Sequence, residues 1–557
     1  MRSGLIHVAV AIFVFGLLLS FPGAATGGTV FDVTRLDDPL PSGCQPGDCS
    51  LREAVIDANA NIGHDTINLP VGTITLELAG TNEDLSATGD LDVNDDTTIL
   101  GAGGASFVDA DGIDRVFDIG SDSSADTITV ELGHLIVQGG DAGIDNGGGI
   151  AAGASSGSML VLRDSVVRNN VAFQGGGVYT CCGTGAEITD VVVRNNLALD
   201  DGGGTFHCCG SSASYEMLRV EILNNNTVDD GGGAFFCCGS SATLTDVTLS
   251  GNGTNDQGGG LYHCCNGDTE QMNLFGVTVN GNTAATEGGG VYSCCAGTTV
   301  TFVNTTITGN TADEKGGGYH NEHSETGLTR FTNVTITDNA APMGSGIYNG
   351  DDDNVTIVNT IVAANVDGAD CARNAVDLLG NNLDSDGSCG GGGVDPLLGP
   401  LADNGGFTHT QALLVGSPAI DTGDDAECPA ADERGVVRPQ GPQCDIGAYE
   451  VEAGGVTPAN ALWGDDDCNG EVAAVDALKN LQEVAGLPYS QNEPCFDLGG
   501  TVSVAPAGAT ERIWGDVDCD SDVDSVDALG ILRKLVAFPV NQQPGCPEIG
   551  AEVLVGG

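Results

Sequence analysis

Eight acidic residues crowd the positions just ahead of a recurring glycine triplet: Asp200, Asp201, Asp229, Asp230, Asp256, Glu287, Asp313 and Glu314. Carboxylates stacked from one chain turn to the next would suit glycosidic acid–base chemistry. A separation of ~5–5.5 Å serves retention and about 6.5–9.5 Å inversion. Asp201 and Asp230 are the candidates for that work. Arg168 and Arg194 each stand two residues before an asparagine, and an arginine above a calcium-rich acidic groove is a base for polysaccharide elimination. The plainer account makes the acids a solvated turn that collects calcium, and pairs the arginines with neighbouring carboxylates. His207, His263 and His320 fall after the glycines of alternate repeats and are assigned to one column. At roughly 9–10 Å apart they are too distant to share a metal through ~2 Å bonds, so surface turn histidines are expected.

These residues need a scaffold, and the spacing of the glycines describes it. Triplets begin at Gly147, Gly175, Gly202, Gly231, Gly258, Gly288 and Gly316, with a Gly-Ser-Gly at Gly344. Ahead of them sit Asn170, Asn196, Asn226, Asn252, Asn282, Asn310 and Asn339, each preceded by an alternating β-branched run such as "ATLTDVTLSGN". Period-two alternation punctuated by turn residues is strand chemistry, and a fixed period of this length signals a solenoid or propeller. The absence of a helical stripe and the scarcity of aromatics per unit favour a parallel β-helix with coils of about 28 residues. Equivalent residues would then stack about 4.8 Å apart. The asparagines are expected to form an internal ladder, and the glycines to allow a sharp bend without Cβ crowding.

Five of the repeats carry adjacent cysteines: Cys181–Cys182, Cys208–Cys209, Cys237–Cys238, Cys264–Cys265 and Cys294–Cys295. Each column holds an odd number, so bridges between coils cannot pair either one completely. A vicinal bridge within every coil pairs all ten and is the expected arrangement. Inter-coil bridges and free or metal-binding thiols are the alternatives. In either bridged form the cysteines lock coils expected to lack aromatic packing. The other cysteines fall into local pairs: Cys44/Cys49, Cys371/Cys389, Cys428/Cys444, Cys468/Cys495 and Cys519/Cys546.

Composition narrows the function. The 557 residues carry a formal net charge of −61, which repels nucleic acid and makes divalent cations natural partners. Arg2, the apolar run "LIHVAVAIFVFGLLLSF" and the small residues "PGAATGG" predict a signal peptide over residues 1–25 and hence a secreted or cell-surface protein, an uncleaved anchor being the alternative. No later segment is long and apolar enough to span a bilayer.

The stretch "CSLREAV" (49–55) closely resembles the CSLREA domain of secreted bacterial β-helix proteins, and "GSPAIDTGDDAECPAADERGVVRPQGPQCDIGAYE" (416–450) resembles the choice-of-anchor Q domain of the same proteins. The resemblance implies a mainly β, right-handed parallel β-helix. Residues 28–140 would form the N-terminal cap and first coils, 141–365 the repeats, and 366–452 the last coils and a cap. An adhesive or carbohydrate-associated solenoid is the first functional expectation. A polysaccharide-degrading enzyme, either a pectate-lyase-like lyase or a glycoside hydrolase, is the second. Against the second stand the absence of a Gly-His-Gly signature and a supply of only three lysines, Lys315, Lys479 and Lys534.

After residue 453 the composition changes, and "WGDDDCNGEVAAVDALKNLQEVAG" is echoed 51 residues later by "WGDVDCDSDVDSVDALGILRKLVA". In an EF-hand-type loop the ligands fall at positions 1, 3, 5, 7 and 12. The first loop thus supplies Asp465, Asp467, Asn469, the Glu471 carbonyl and Asp476. The second supplies Asp516, Asp518, Asp520, the Asp522 carbonyl and Asp527. Oxygen-only ligands select calcium, and each loop is expected to lead into an amphipathic helix. The pattern resembles the duplicated repeats of type I dockerins, which implies a small α-helical calcium-binding domain over 453–557 and a cohesin-like or other cell-surface partner.

Overall fold

The computed structural model describes residues 28–452 apart from residues 82, 121–126, 154–156, 209–212, 238–240, 265–270, 295–298, 323–326, 351–353 and 391. Beyond these it describes residues 459–462, 474–484, 501–505, 510–513, 517, 519, 523, 525–535 and 552–556. The chain is a parallel β-solenoid built on three sheets of 20, 11 and 6 strands. The middle sheet of eleven strands runs from Leu91–Val93 to Cys371–Arg373, one strand per coil. Its register is unbroken: Val178 pairs in turn with Thr205, Ala234, Leu261, Val291, Tyr319 and Ile347 of successive coils.

Alternation in the sequence becomes alternation of faces. Along Ser241–Ser250, Ala242, Leu244, Val247 and Leu249 are buried while their neighbours are not. The phase slips once, at Asp246, whose φ of 53° places it in the left-handed region. Asp190, Arg219, Asn304 and Asn333 make the same kink in other coils, and short polar side chains tolerate it best. The inward residues of every coil join one core that runs from Val33 to Cys389.

Two devices turn each coil. The first is the asparagine ladder: each backbone N–H from Asn170 to Asn339 donates to the Oδ1 of the next asparagine at 2.9–3.0 Å. Each Nδ2 donates to the same oxygen and to a carbonyl of the preceding coil, as Asn252 does to Ile222 at 2.9 Å. The ladder residue in "LNNNT" is Asn225, not Asn226. Asn224 takes the left-handed position (φ 53°) that Asn195 holds one coil earlier, and Asn226 begins the next short strand in register with Leu197. Three consecutive asparagines hide this from composition alone.

The glycine triplet is the second device, and its members differ in purpose. Gly175 has φ 64°, a conformation glycine adopts at no steric cost. Gly177 has no such need. A Cβ there would sit 2.5 Å from the Gly204 carbonyl oxygen and 2.9 Å from Nδ2 of Asn196.

The N-terminal end is closed by the helix α1, Leu51–Asn59. Ser50 and Glu53 form its capping box, satisfying two of the helix's orphan donors reciprocally. Leu51, Ala54, Val55 and Ala58 join the solenoid core. Arg52, fully buried, pairs with Asp38 at 2.8 Å and donates to the carbonyls of Ser86, Gly89 and Asp90. Each residue of "CSLREA" therefore has a structural task, Cys49 bridging to Cys44.

The C-terminal segment does more than close the far end. After Leu383–Asp384 the chain turns back along the outer face of the 20-stranded sheet. Glu433 accepts from the hydroxyls of Thr278, Thr306 and Thr408 at 3.0, 2.6 and 3.2 Å. Asn304 donates to the Ala431 carbonyl, and Asn333 to that of Asp445. This cover explains why Thr306, Thr308, Thr335 and Thr337 are buried on strands whose earlier counterparts show that face to solvent.

The C-terminal module is not purely helical. Helices α2 (Ala474–Val484) and α3 (Ser525–Leu535) contribute Ala477, Ala528 and Ile531 to a small core with Val517. A four-stranded antiparallel sheet accompanies them, made from Ala459–Leu462, Thr501–Ala505, Thr510–Ile513 and Glu552–Gly556. Among the described residues no helix is long and apolar enough to cross a membrane. The proposed signal peptide lies outside the described residues.

Candidate functional site: the acidic turn and the outer columns

The acidic turn is two adjacent columns. In the column just before the glycines, Asp201 and Asp230 are held by the backbone: Gly175 N–H donates to the Asp201 carbonyl, and Gly202 N–H to that of Asp230. Their side chains also serve the ladder. Asp201 Oδ1 accepts from the Asp230 amide at 3.2 Å, and Asp230 Oδ1 from the Gln257 amide at 3.0 Å. Gln174 donates to Asp200 and Asp201 at 2.9 and 3.2 Å. The second column brings Asp200, Asp229 and Asp256 alongside. Carboxylate oxygens of Asp200, Asp201 and Asp229 lie within 4.8 Å of one another, as do those of Asp229, Asp230 and Asp256.

Crowding shows in the protonation equilibria. Burial, reinforced by neighbouring carboxylates, pushes Asp201 up to about 6 and Asp230 up to about 7. Asp229 is raised by the same two causes. Such a cluster can take up a proton or a cation at neutral pH.

The arginines share a column, Arg168 pairing in register with Arg194, but they do not face the acids. Arg168 donates to Gln138 Oε1 through Nε at 3.0 Å and Nη2 at 2.8 Å, and lies 5.9 Å from the Phe107 ring centroid. The Nε of Arg194 is buried without a hydrogen bond among the described residues. Neither forms an ion pair among the described residues, so the expected pairing with nearby carboxylates is absent there. Cavities of about 530, 480 and 450 Å³ lie at Leu378–Ile446, Thr337–Gln411 and Thr29–Cys49, away from the arginines, Asp201 and Asp230.

The histidines depart from expectation. His207 and His263 share an inward column through Phe236 and are buried at 0% and 1% exposure, not displayed on a turn. Burial lowers His207 to about 3, and its Nδ1 meets the Thr180 hydroxyl at 2.8 Å. His320 belongs to the next column outward, in register with Tyr292 and Tyr348.

That outward column is a continuous aromatic stack: Tyr179, Phe206, Phe235, Tyr262, Tyr292, His320 and Tyr348, with ring centroids 4.7–5.2 Å apart. The expectation of coils without aromatic packing is thereby overturned. The signal was one ring at a fixed offset after each triplet from Gly175 onward, diluted by an aromatic fraction of only 5% overall.

The cysteine arrangement also differs. Cys208 bridges to Cys237 and Cys264 to Cys294, in each case between neighbouring coils with Cα atoms 4.8 Å apart. Among the described residues only Cys181 pairs with its neighbour, Cys182. Ladder spacing falls inside the usual Cα range of about 4.4–6.8 Å, whereas adjacent residues fall short of it. The odd member of the column is left at its N-terminal end and turns to its own neighbour. Cys371–Cys389 and Cys428–Cys444 are paired. Cys209, Cys238, Cys265, Cys295, Cys468, Cys495 and Cys546 lie outside the described residues, while Cys519 is buried and disulfide-bonded.

Of the expected calcium ligands, Asp465, Asp467, Asn469, Glu471, Asp516, Asp518, Asp520 and Asp522 lie outside the described residues. Asp476 is placed on α2, without a described side chain, and Asp527 is buried on α3. Both stand in the first turn of their helices, where a twelfth-position ligand of each loop belongs.

No protein-family model and no curated protein matches the chain. Among solved structures, two align with the chain at low identity. Pectate lyase Pel9A aligns with 13% identity and a TM-score of 0.39, over 77% of this chain and 97% of that one. The A-module of the Azotobacter vinelandii mannuronan C-5 epimerase AlgE6 aligns with 16% identity and a TM-score of 0.36, over 63% of this chain and 98% of that one.

Proposed function

We propose that the chain is an exported surface solenoid, adhesive or carbohydrate-associated, tethered through a calcium-dependent C-terminal module. One observation carries the non-catalytic reading. Asp201 and Asp230, the best-placed acids, each commit an oxygen to an amide of the following coil, and the arginines that would complete a lyase site are turned elsewhere. The side chains at the turn are occupied in joining coils. Export and the choice of a cohesin-like or other surface partner rest on the N-terminal run and the repeated acidic loops alone.

A polysaccharide lyase or hydrolase is the second reading, favoured by the elevated protonation equilibria of Asp201 and Asp230, which suit acid–base work near neutral pH. Incubation with a panel of acidic and neutral polysaccharides separates the two. The scaffold reading expects retention of a polysaccharide or a surface partner with no new reducing ends and no unsaturated products. Product formation that is lost in Asp201→Ala or Arg194→Ala would establish the enzyme instead.

A further inference from the structure

We propose that Glu287, His320 and Glu322 form a site for one divalent transition ion of zinc's borderline character, bridging two coils on the outer face of the middle sheet. His320 is fully buried, clamped between the rings of Tyr292 and Tyr348 with centroids 4.8 Å away on either side. Among the described residues neither of its ring nitrogens makes a hydrogen bond, an arrangement that native interiors seldom tolerate without a partner. Its Nε2 faces Oε2 of Glu287 at 3.6 Å and Oε2 of Glu322 at 3.5 Å.

Those separations are long for hydrogen bonds. They are close to the ~3.3 Å expected between two ligands that each sit ~2.0–2.1 Å from one tetrahedral ion. All three ligand atoms lie within 4.8 Å of one another. Surrounding contacts keep them aimed. Lys315 pairs with Oε1 of Glu287, leaving Oε2 toward the imidazole, and the Tyr292 hydroxyl donates to Oε2 of Glu322 at 2.9 Å. Glu322 is anchored by its amide, which donates to the Ser293 carbonyl at 2.8 Å. Lys315 offsets one of the two carboxylate charges, so a dication would leave the site with one net positive charge. An imidazole among the ligands disfavours calcium and magnesium, which take oxygen. Because the Glu322 side chain is 49% exposed, a fourth position opens to water.

The test is calorimetric titration of Zn²⁺ into the full-length protein, with millimolar calcium present to occupy oxygen-only sites. Wild type is compared with His320→Phe, which keeps a ring in the stack, and with Glu322→Gln, a change at a half-exposed position. Each variant should bind one zinc ion fewer per chain, and the thermal shift that zinc produces in wild type should shrink in both. Near-ultraviolet circular dichroism verifies that the variants are folded. Identical stoichiometry in all three proteins overturns the assignment. So does a His320 imidazole signal, followed by nuclear magnetic resonance, that zinc leaves unchanged.

Discussion

Asp230, Asp201 and Glu433 favour folding in their protonated forms, because burial raises all three above the ordinary carboxylate range. Acids whose folded pKa exceeds an unfolded value near ~3.9 contribute stability that is complete below that value. The contribution of Asp201 and Asp230 is lost as pH rises through about 6 and about 7. His207 has the opposite sense. Its folded value of about 3 lies below an unfolded ~6.5, so its contribution is present above that pH and lost as pH falls toward the folded value. The two slopes oppose each other between roughly pH 4 and 6.5. Three acids outweigh one histidine, so melting temperature should fall as pH rises through that window, His207 offsetting part of the slope, and should fall again in acid below about 4. Asp230→Asn should remove part of the decline between roughly pH 4 and about 7, and His207→Phe part of the loss in acid. Superimposable pH profiles for Asp230→Asn and wild type would refute the assignment. Asp201 and Asp230 were legible as a site because their spacing is that of the repeat. His207 was misplaced because neighbouring strand residues face opposite ways, so a one-residue difference in register decides between core and surface.

At the scale of the coil, the inter-coil bridges change what reduction should do. Cys208–Cys237 and Cys264–Cys294 close loops with sequence separations of 29 and 30, and the chain-entropy account assigns each about 3–4 kcal/mol. Mass spectrometry of unreduced peptides should recover 208 linked to 237 and 264 linked to 294. Recovery of internally bridged "CC" peptides from those coils would show the vicinal arrangement instead. Reduction should lower the unfolding midpoint sharply, whereas Cys181→Ser with Cys182→Ser should cost far less, since the bridge they form closes no loop between coils. The solenoid, its period and its asparagine ladder were readable because each depends on a residue type that only one backbone position accepts. The bridging pattern was not, because counting an odd column does not reveal that its last member can turn sideways. The aromatic stack escaped for a related reason: Tyr, Phe and His interchange within it, so no single letter repeats.

For the whole molecule, the return of residues 398–450 over the 20-stranded sheet divides the solenoid into bare early coils and covered late ones, a division no repeat count contains. Stacked coils contact only their neighbours, whereas Glu433 and Asn304 join segments more than a hundred residues apart. The stack of rings along the middle sheet carries a further consequence. It holds four tyrosines at nearly parallel angles between Tyr179 and Tyr348, while the two tryptophans, Trp463 and Trp514, both belong to the repeated C-terminal loops. The tryptophans therefore belong to the module alone, which also holds Tyr489, while the stacked tyrosines belong to the solenoid. Calcium addition should bind about two ions per chain, as the paired loops require, and shift tryptophan emission while leaving tyrosine dichroism as it was. Reduction of the disulfides should first disturb the tyrosine signal. A calcium response that leaves tryptophan emission unchanged would place the ions away from the repeated loops, so two wavelengths suffice to tell which part of the molecule has yielded.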